Sequence, residues 1–310
     1  MRITVIHNPS AGDGRVSREL LLRAIHDVGY ETSYQSTKAD DFPSALQEPG
    51  DAVMVAGGDG TVRRVVLELR GTDVPVAVLP LGVANNVAGT LGIRGGLDDC
   101  IRRIRNGQVY RMDIGVSEGP WGERRFIEGV GLGAIAEHIR VAEKFGCEIP
   151  EEQGRTARLE YSRQIMTSLM ALLPSFECTL TIGDSRRELR LLMLQVMNVQ
   201  RIGPALPLAP LADAADGMFD VVWVEETERA QLQDTLRSWA AGEHAESAGD
   251  RAGRASYRPK GGHARAAQLH VTCAAPLAHL DDSIWRAKKR HRAGYDISFG
   301  CEKGALSLLL

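Results

Sequence analysis

Gly57-Gly58-Asp59-Gly60-Thr61 sets three glycines around one carboxylate, and these residue types at this spacing could do phosphate chemistry. Lacking a Cβ, glycine lets a ligand approach the backbone closely. A helix beginning just beyond such a turn aims its first N–H groups at whatever anion sits there. A phosphate is the natural occupant, with Gly57, Gly58, Gly60 and Thr61 as backbone donors. Asp59 would face it, and a bare carboxylate would be repelled unless a Mg2+ ion lay between the two. No G-K-[ST] follows, which excludes the P-loop form of phosphate site.

The elements that must position this turn are legible on either side of it. Residues 52–56 are an apolar run, and Val62, Val65, Val66 and Leu69 recur with helical spacing. The pattern repeats at once: residues 74–79 are apolar, Pro80-Leu81-Gly82 is a turn, and Ala84, Val87, Ala88 and Leu91 give a helix face. Two strand-turn-helix units in succession imply parallel neighbours with both turns on one sheet edge, where open parallel sheets bind ligands. A third such unit opens the chain. Residues 3–6 run into His7-Asn8-Pro9-Ser10-Ala11-Gly12-Asp13-Gly14, then a helix with Val16, Leu20, Ala24 and Val28 on one face. Residues 30–35 form a further strand ending near Thr37. The fold class expected is an N-terminal α/β domain with a parallel sheet over residues 1–113, followed by a β-rich sandwich over residues 114–302. The tail, about residues 303–310, is expected to pack back on the first.

The texture changes after residue 113. Apolar residues begin to alternate, as in Phe126, Glu128, Val130 and in Phe219, Val221, Trp223, which predicts mainly β-sheet. A helix over residues 158–173 carries Tyr161, Ile165, Leu169 and Leu172 on one side and Met166, Met170 and Leu173 beside them. So wide an apolar arc reads as packed core, and as a candidate wall of an acyl-chain cleft through its adaptable methionines. Residues 227–241 predict an amphipathic helix through Leu232, Leu236 and Trp239. Residues 242–262 have almost no apolar side chains and read as a solvated loop before a strand at residues 268–273.

A net charge of −3 provides no global field for nucleic acid or an anionic membrane, so any such attraction must come from local clusters. Cys100, Cys147, Cys178, Cys273 and Cys301 lack C-x-x-C spacing, which argues for buried free thiols over disulfides or zinc. The N-terminus is too short in its apolar part for a secretion signal and no run could span a bilayer, so a cytoplasmic protein is expected, one that could reach a membrane only from its surface.

GGDGT followed by PLGVANNVAGTLGI at residues 80–93 resembles the diacylglycerol kinase and sphingosine kinase type of lipid kinase. Asn8, Pro9, Ser10, Ala11 and Gly12 resemble that family's loop bordering the nucleotide, and Thr37 falls at the place of a family threonine. Gly82 and Asn85 keep the second phosphate segment, whereas Val83 and Asn86 stand where the family has threonine and aspartate. Residues 198–220 and 280–283 resemble its later segments. The resemblance implies an ATP- and Mg2+-dependent kinase acting on a diacylglycerol-like or sphingoid-like hydroxyl. It implies a second metal site at Asp213, Asp216 and Met218, which can also be read as an acidic turn before a strand. It places a catalytic glutamate where this chain has Ser283, leaving Asp281 or Asp282 to substitute as base, with Asp59 at the phosphates. Arg286, Lys288, Lys289, Arg290 and Arg292 are a solvated cluster or a contact with anionic membrane. The alternatives are a catalytically impaired nucleotide- or lipid-binding regulator and a soluble-substrate kinase of the NAD kinase type. A homodimer is compatible with all three.

Overall fold

A computed structural model describes residues 1–12, 16–39, 41–145, 154–241, 262–274, 277–286 and 294–310. The chain divides into two units, Met1–Asp113 with Lys303–Leu310, and Ile114–Glu302.

The first unit is α/β. Its elements are β1 (Arg2–His7), α1 (Arg18–Asp27), β2 (Glu31–Ser36), β3 (Ala52–Gly57), α2 (Asp59–Glu68), β4 (Val76–Pro80), α3 (Asn86–Thr90) and α4 (Leu97–Asn106). The strands lie parallel in the order β4-β3-β1-β2, and Leu308 and Leu309 add a parallel partner beside Val76 and Ala77. Because β1, β3 and β4 run the same way, His7, Gly57 and Pro80 end on one edge. All six residues of β3 are buried, as expected of a central strand covered on both faces. Leu21 and Ile25 of α1 join Cys100, Ile101 and Ile104 of α4 over Ile3, Val5, Met54 and Leu79.

The expected face of α1 is met in part: Val16 and Ala24 pack against the core, but its centre lies one residue further along. Leu20 and Val28 are 48% and 43% exposed, while Leu21 and Ile25 are fully buried. Ser17 caps the helix by accepting the Leu20 N–H, and that start rotates the Leu21/Ile25 face onto the sheet.

The second unit is an antiparallel β structure with helices on one side. It contains β5 (Val109–Gly119, which begins in the first unit), β6 (Gly122–Phe126), β7 (Gly129–Gly133), α5 (Ala134–Phe145), α6 (Gly154–Leu172), β8 (Phe176–Ile182) and β9 (Ser185–Met197). There follow β10 (Phe219–Glu225), α7 (Arg229–Ala240), β11 (His263–Ala266), β12 (Leu269–Cys273), β13 (Ala278–Leu280), β14 (Ser283–Trp285) and β15 (Tyr295–Leu309). Strands pair in the order β14-β13-β7-β9-β8-β12-β15, with β10 between β9 and β11. Alternation along β10 serves two cores at once. Phe219, Val221 and Trp223 join the β-lined core, whereas Val222 and Val224 pack with Leu232, Leu236 and Trp239 of α7.

Glu128 is buried along with Phe126 and Val130, as its spacing of two from each implies, in the link between β6 and β7. One expectation changes here. In α6 it is Met166 and Met170 that enter the core, and Leu172 is 84% exposed. The methionines therefore fill the interior and do not form an adaptable surface.

Cys100, Cys178 and Cys273 are buried free thiols, each pushed up to about 12 by burial, and Cys301 is a half-buried one. Cys147, Asp13, Gly14, nearly all of the 242–262 segment, and Lys288, Lys289, Arg290 and Arg292 lie outside the described residues.

Candidate functional site

The strand-to-helix turns of the first unit interlock through their glycines. A Cβ on Gly82 would fall 2.6 Å from the Gly58 Cα, and one on Gly12 would fall 2.2 Å from the Leu81 carbonyl oxygen. Gly12 also has φ of +67°, which an L side chain rarely adopts. Polar bonds complete the lock. Leu81 N–H donates to the Gly57 carbonyl at 2.9 Å, and Asn8 Nδ2 donates to Thr61 Oγ1 at 3.4 Å. Asp59 Oδ1 accepts the Val87 N–H at 3.2 Å. Residues 8–12, 57–61 and 80–87 thus meet at the edge where parallel strands end.

Each expected phosphate-contacting residue has a definite place here. Gly58 precedes α2 as its N-cap, and Thr61 and Val62 N–H both return to the Gly58 carbonyl. The first amides of α2, at Asp59 and Gly60, point out of the helix end as in any helix. Ser10 N–H donates to Asn8 Oδ1, which shapes the first turn, while Pro9 and Ser10 are exposed. Thr37 lies just past β2 with its N–H on the His7 carbonyl. Asn85 is 5% exposed and adopts φ of +51°; its Oδ1 accepts the Gly82 N–H and its Nδ2 donates to the Gly82 carbonyl. Its amide shapes the turn rather than pointing away from it. The first loop is also longer than the tight turn its sequence suggests, because α1 begins only after Ser17.

In the second unit, Asp281 and Asp282 form the turn between β13 and β14, and the structure separates their roles. Asp281 is 4% exposed with φ of +49°. Its carboxylate accepts the N–H groups of Ile127, Glu128 and Gly129 at 3.1, 2.8 and 3.1 Å, and its own N–H donates to the Gly129 carbonyl. Asn198 closes the knot by donating from Nδ2 to the Ile127 carbonyl and from its backbone to that of Glu128. Asp282 is exposed, and Ser283 Oγ–H donates to its Oδ1 at 3.2 Å.

Sequence reasoning missed what lies beneath this turn. His279 is fully buried, with Nδ1 3.0 Å from the Asp281 carbonyl and Nε2 2.8 Å from the Gln195 side-chain amide. Burial holds its pKa down at about 4, so the ring is neutral and has one N–H. The carbonyl can only accept, so Nδ1 carries the proton and Gln195 turns its NH2 to Nε2. A lone histidine two residues from the turn carried no sequence signal for this network.

Asp213, Asp216 and Met218 share one turn before β10. Asp213 Oδ1 accepts the Ala215 N–H at 3.1 Å and Asp216 Oδ1 the Met218 N–H at 2.8 Å. Among the described residues no group of three or more His, Cys, Asp or Glu side chains is gathered to hold a metal ion.

A parallel α/β unit with interlocked glycine turns at one edge, joined to a β-rich unit, is the architecture of the NAD kinase and diacylglycerol kinase class. Two family models match the chain: "Diacylglycerol kinase catalytic domain" over residues 2–117, and "YegS C-terminal NAD kinase beta sandwich-like domain" over residues 148–256. A diacylglycerol kinase of Bacillus subtilis (strain 168) is 28% identical over 254 residues, 78% of this chain and 80% of that protein. One from Staphylococcus carnosus (strain TM300) is 31% identical over 145 residues, 44% of this chain and 46% of that protein. The crystal structure of a diacylglycerol kinase from Bacillus anthracis str. Sterne superposes with a TM-score of 0.66 at 17% identity, covering 99% of this chain and 96% of that one. The chain belongs to the diacylglycerol kinase and YegS-like family of lipid kinases.

Proposed function

We propose that the protein transfers the γ-phosphate of ATP to the hydroxyl of a diacylglycerol-like or sphingoid-like lipid. The observation that carries this reading is the contact of the Gly12, Gly58 and Gly82 turns. Their close backbone packing, which a Cβ would break, brings the three turns to one sheet edge, where amides at the start of a helix suit the oxygens of a polyphosphate. Asp59, the first residue of α2, carries a hard oxygen ligand suited to Mg2+. Bound magnesium nucleotide would supply the transferable phosphoryl group and screen its charge. Gly57, Gly58 and Gly60 would orient the phosphates, Thr61, whose N–H is held by the Gly58 carbonyl, would brace that turn rather than donate from its backbone, and Asn8, Pro9, Ser10, Ala11, Gly12, Thr37, Gly82 and Asn85 would border them.

Of the two turn carboxylates, Asp282 takes the role of base that accepts the lipid hydroxyl's proton. It is exposed, and the Ser283 hydroxyl fixes its orientation. Asp281, with its carboxylate on three amides, holds the turn in place. For the acyl chain, Tyr161, Ile165, Leu169 and Leu172 lie along one solvent-facing side of α6, with Gln164 and Ser168 among them. Among the described residues no helix is long and apolar enough to cross a membrane, so a lipid substrate is met at the bilayer surface. Exposed Arg286 is the described end of the basic run that would face anionic headgroups. A second reading, a binding or regulatory protein without turnover, is favoured by Ser283 standing where the family has its base.

Transfer of labelled γ-phosphate to a panel of lipid and soluble alcohols tests the proposal. A labelled lipid in the presence of Mg2+ is expected, with Asp59→Asn as the inactive control. Labelling of soluble alcohols alone, or of nothing, contradicts it.

A further inference from the structure

The metal set implied at Asp213, Asp216 and Met218 does not fit the side chains around it. Antiparallel pairing of β10 with β11 sets Asp220 opposite Arg265 and Val222 opposite His263. Arg265 pairs with Asp216 Oδ2, and its Nε lies 3.7 Å from Asp220 Oδ2. Met218 N–H takes Asp216 Oδ1, and His263 Nε2 lies 2.6 Å from Asp220 Oδ1. Every carboxylate oxygen of Asp216 and Asp220 therefore already has a partner. A divalent ion on Asp216 would displace the guanidinium or stand within a few Å of a like charge, in a place where Asp220 is 2% exposed.

We propose that Arg265 takes the place of a divalent cation at this turn, so that residues 213–220 are held by the chain's own guanidinium and need no metal. The planar fork of arginine suits the task, because it reaches two carboxylates from one side where a metal would gather oxygens around itself. This inference concerns the second unit's own stability and stands whether or not the chain transfers phosphate.

The test uses nucleotide-free full-length protein, with melting followed in EDTA and in millimolar Mg2+ or Mn2+, and Mn2+ binding measured by calorimetry. The wild type is expected to melt at the same temperature in EDTA and in either cation, and to show no Mn2+ binding that Asp216→Asn removes. Arg265→Gln is expected to melt roughly 5 °C lower. A wild-type midpoint that drops on chelation, with the drop abolished in Asp216→Asn, overturns the proposal without any Arg265 variant needing to fold. Arg265→Gln melting like the wild type overturns it as well.

Discussion

Asp281→Ala leaves the amides of Ile127, Glu128 and Gly129 without their shared acceptor in a place that is 4% exposed. Each hydrogen bond to a charged group contributes about 1.5–3 kcal/mol, so three sum to roughly 4.5–9 before relaxation. Water entering the vacated volume recovers part of this, and about 4–5 kcal/mol of net destabilisation remains. For a unit of this size that lowers the melting midpoint by roughly 10–15 °C. Asp282→Ala removes an exposed carboxylate that accepts the adjacent serine hydroxyl, and a substitution at so exposed a position should change stability by less than about 0.5 kcal/mol. Transfer should nonetheless fall by about a hundredfold or more if that carboxylate is the base. Urea unfolding and single-turnover label transfer, run side by side on both variants, separate the two effects. Asp281→Ala with wild-type stability refutes the anchoring argument. Asp282→Ala with the wild-type rate refutes the choice of base.

Three further outcomes are expected. Gly82→Ala places a Cβ 2.6 Å from the Gly58 Cα, so it should spread the two turns and weaken ATP binding at least about tenfold while the fold is kept. Unchanged calorimetric affinity would show that the contact has no part in binding. His138 and His279 are both held down to about 4 by burial, so below their ordinary value of 6.5 the unfolded chain binds protons that the folded chain refuses. Stability is fully present above pH 6.5 and falls as pH drops, by about 2 kcal/mol per histidine at pH 5. His279→Gln should flatten part of that slope in urea titrations, and an unaltered slope would contradict the neutral assignment. Leu172→Asp, at a position 84% exposed, should leave the melting midpoint in place and reduce transfer to vesicle-borne substrate. An unchanged rate on vesicles would take α6 out of the lipid path.

Much of the first unit could be read from the chain because local and tertiary signals agree there. Apolar runs end on glycine turns, and Val62, Val65 and Val66 repeat at the spacing that buries them. The phase of α1 could not be read, since Val16, Leu20, Ala24 and Val28 also obey helical spacing and only the Ser17 cap and the sheet select Leu21 and Ile25. In α6 nearly the whole arc is apolar, so periodicity does not say which side finds partners. Arg265 was out of reach for another reason. Its place opposite Asp220 is set by strand register across a long intervening segment, and pairings of that kind leave no local mark. The second turn likewise shows Gly82 and Asn85 in sequence but not that the Asn85 amide closes on Gly82 itself.

The central claim is that the turns at Gly12, Gly58 and Gly82 hold a magnesium-bound triphosphate. Calorimetric titration of the purified wild type with ATP, in Mg2+ and again in EDTA, addresses it most directly. Saturable binding that weakens on chelation and weakens again in Asp59→Asn is the predicted result. A flat trace in both buffers would contradict the account at its root.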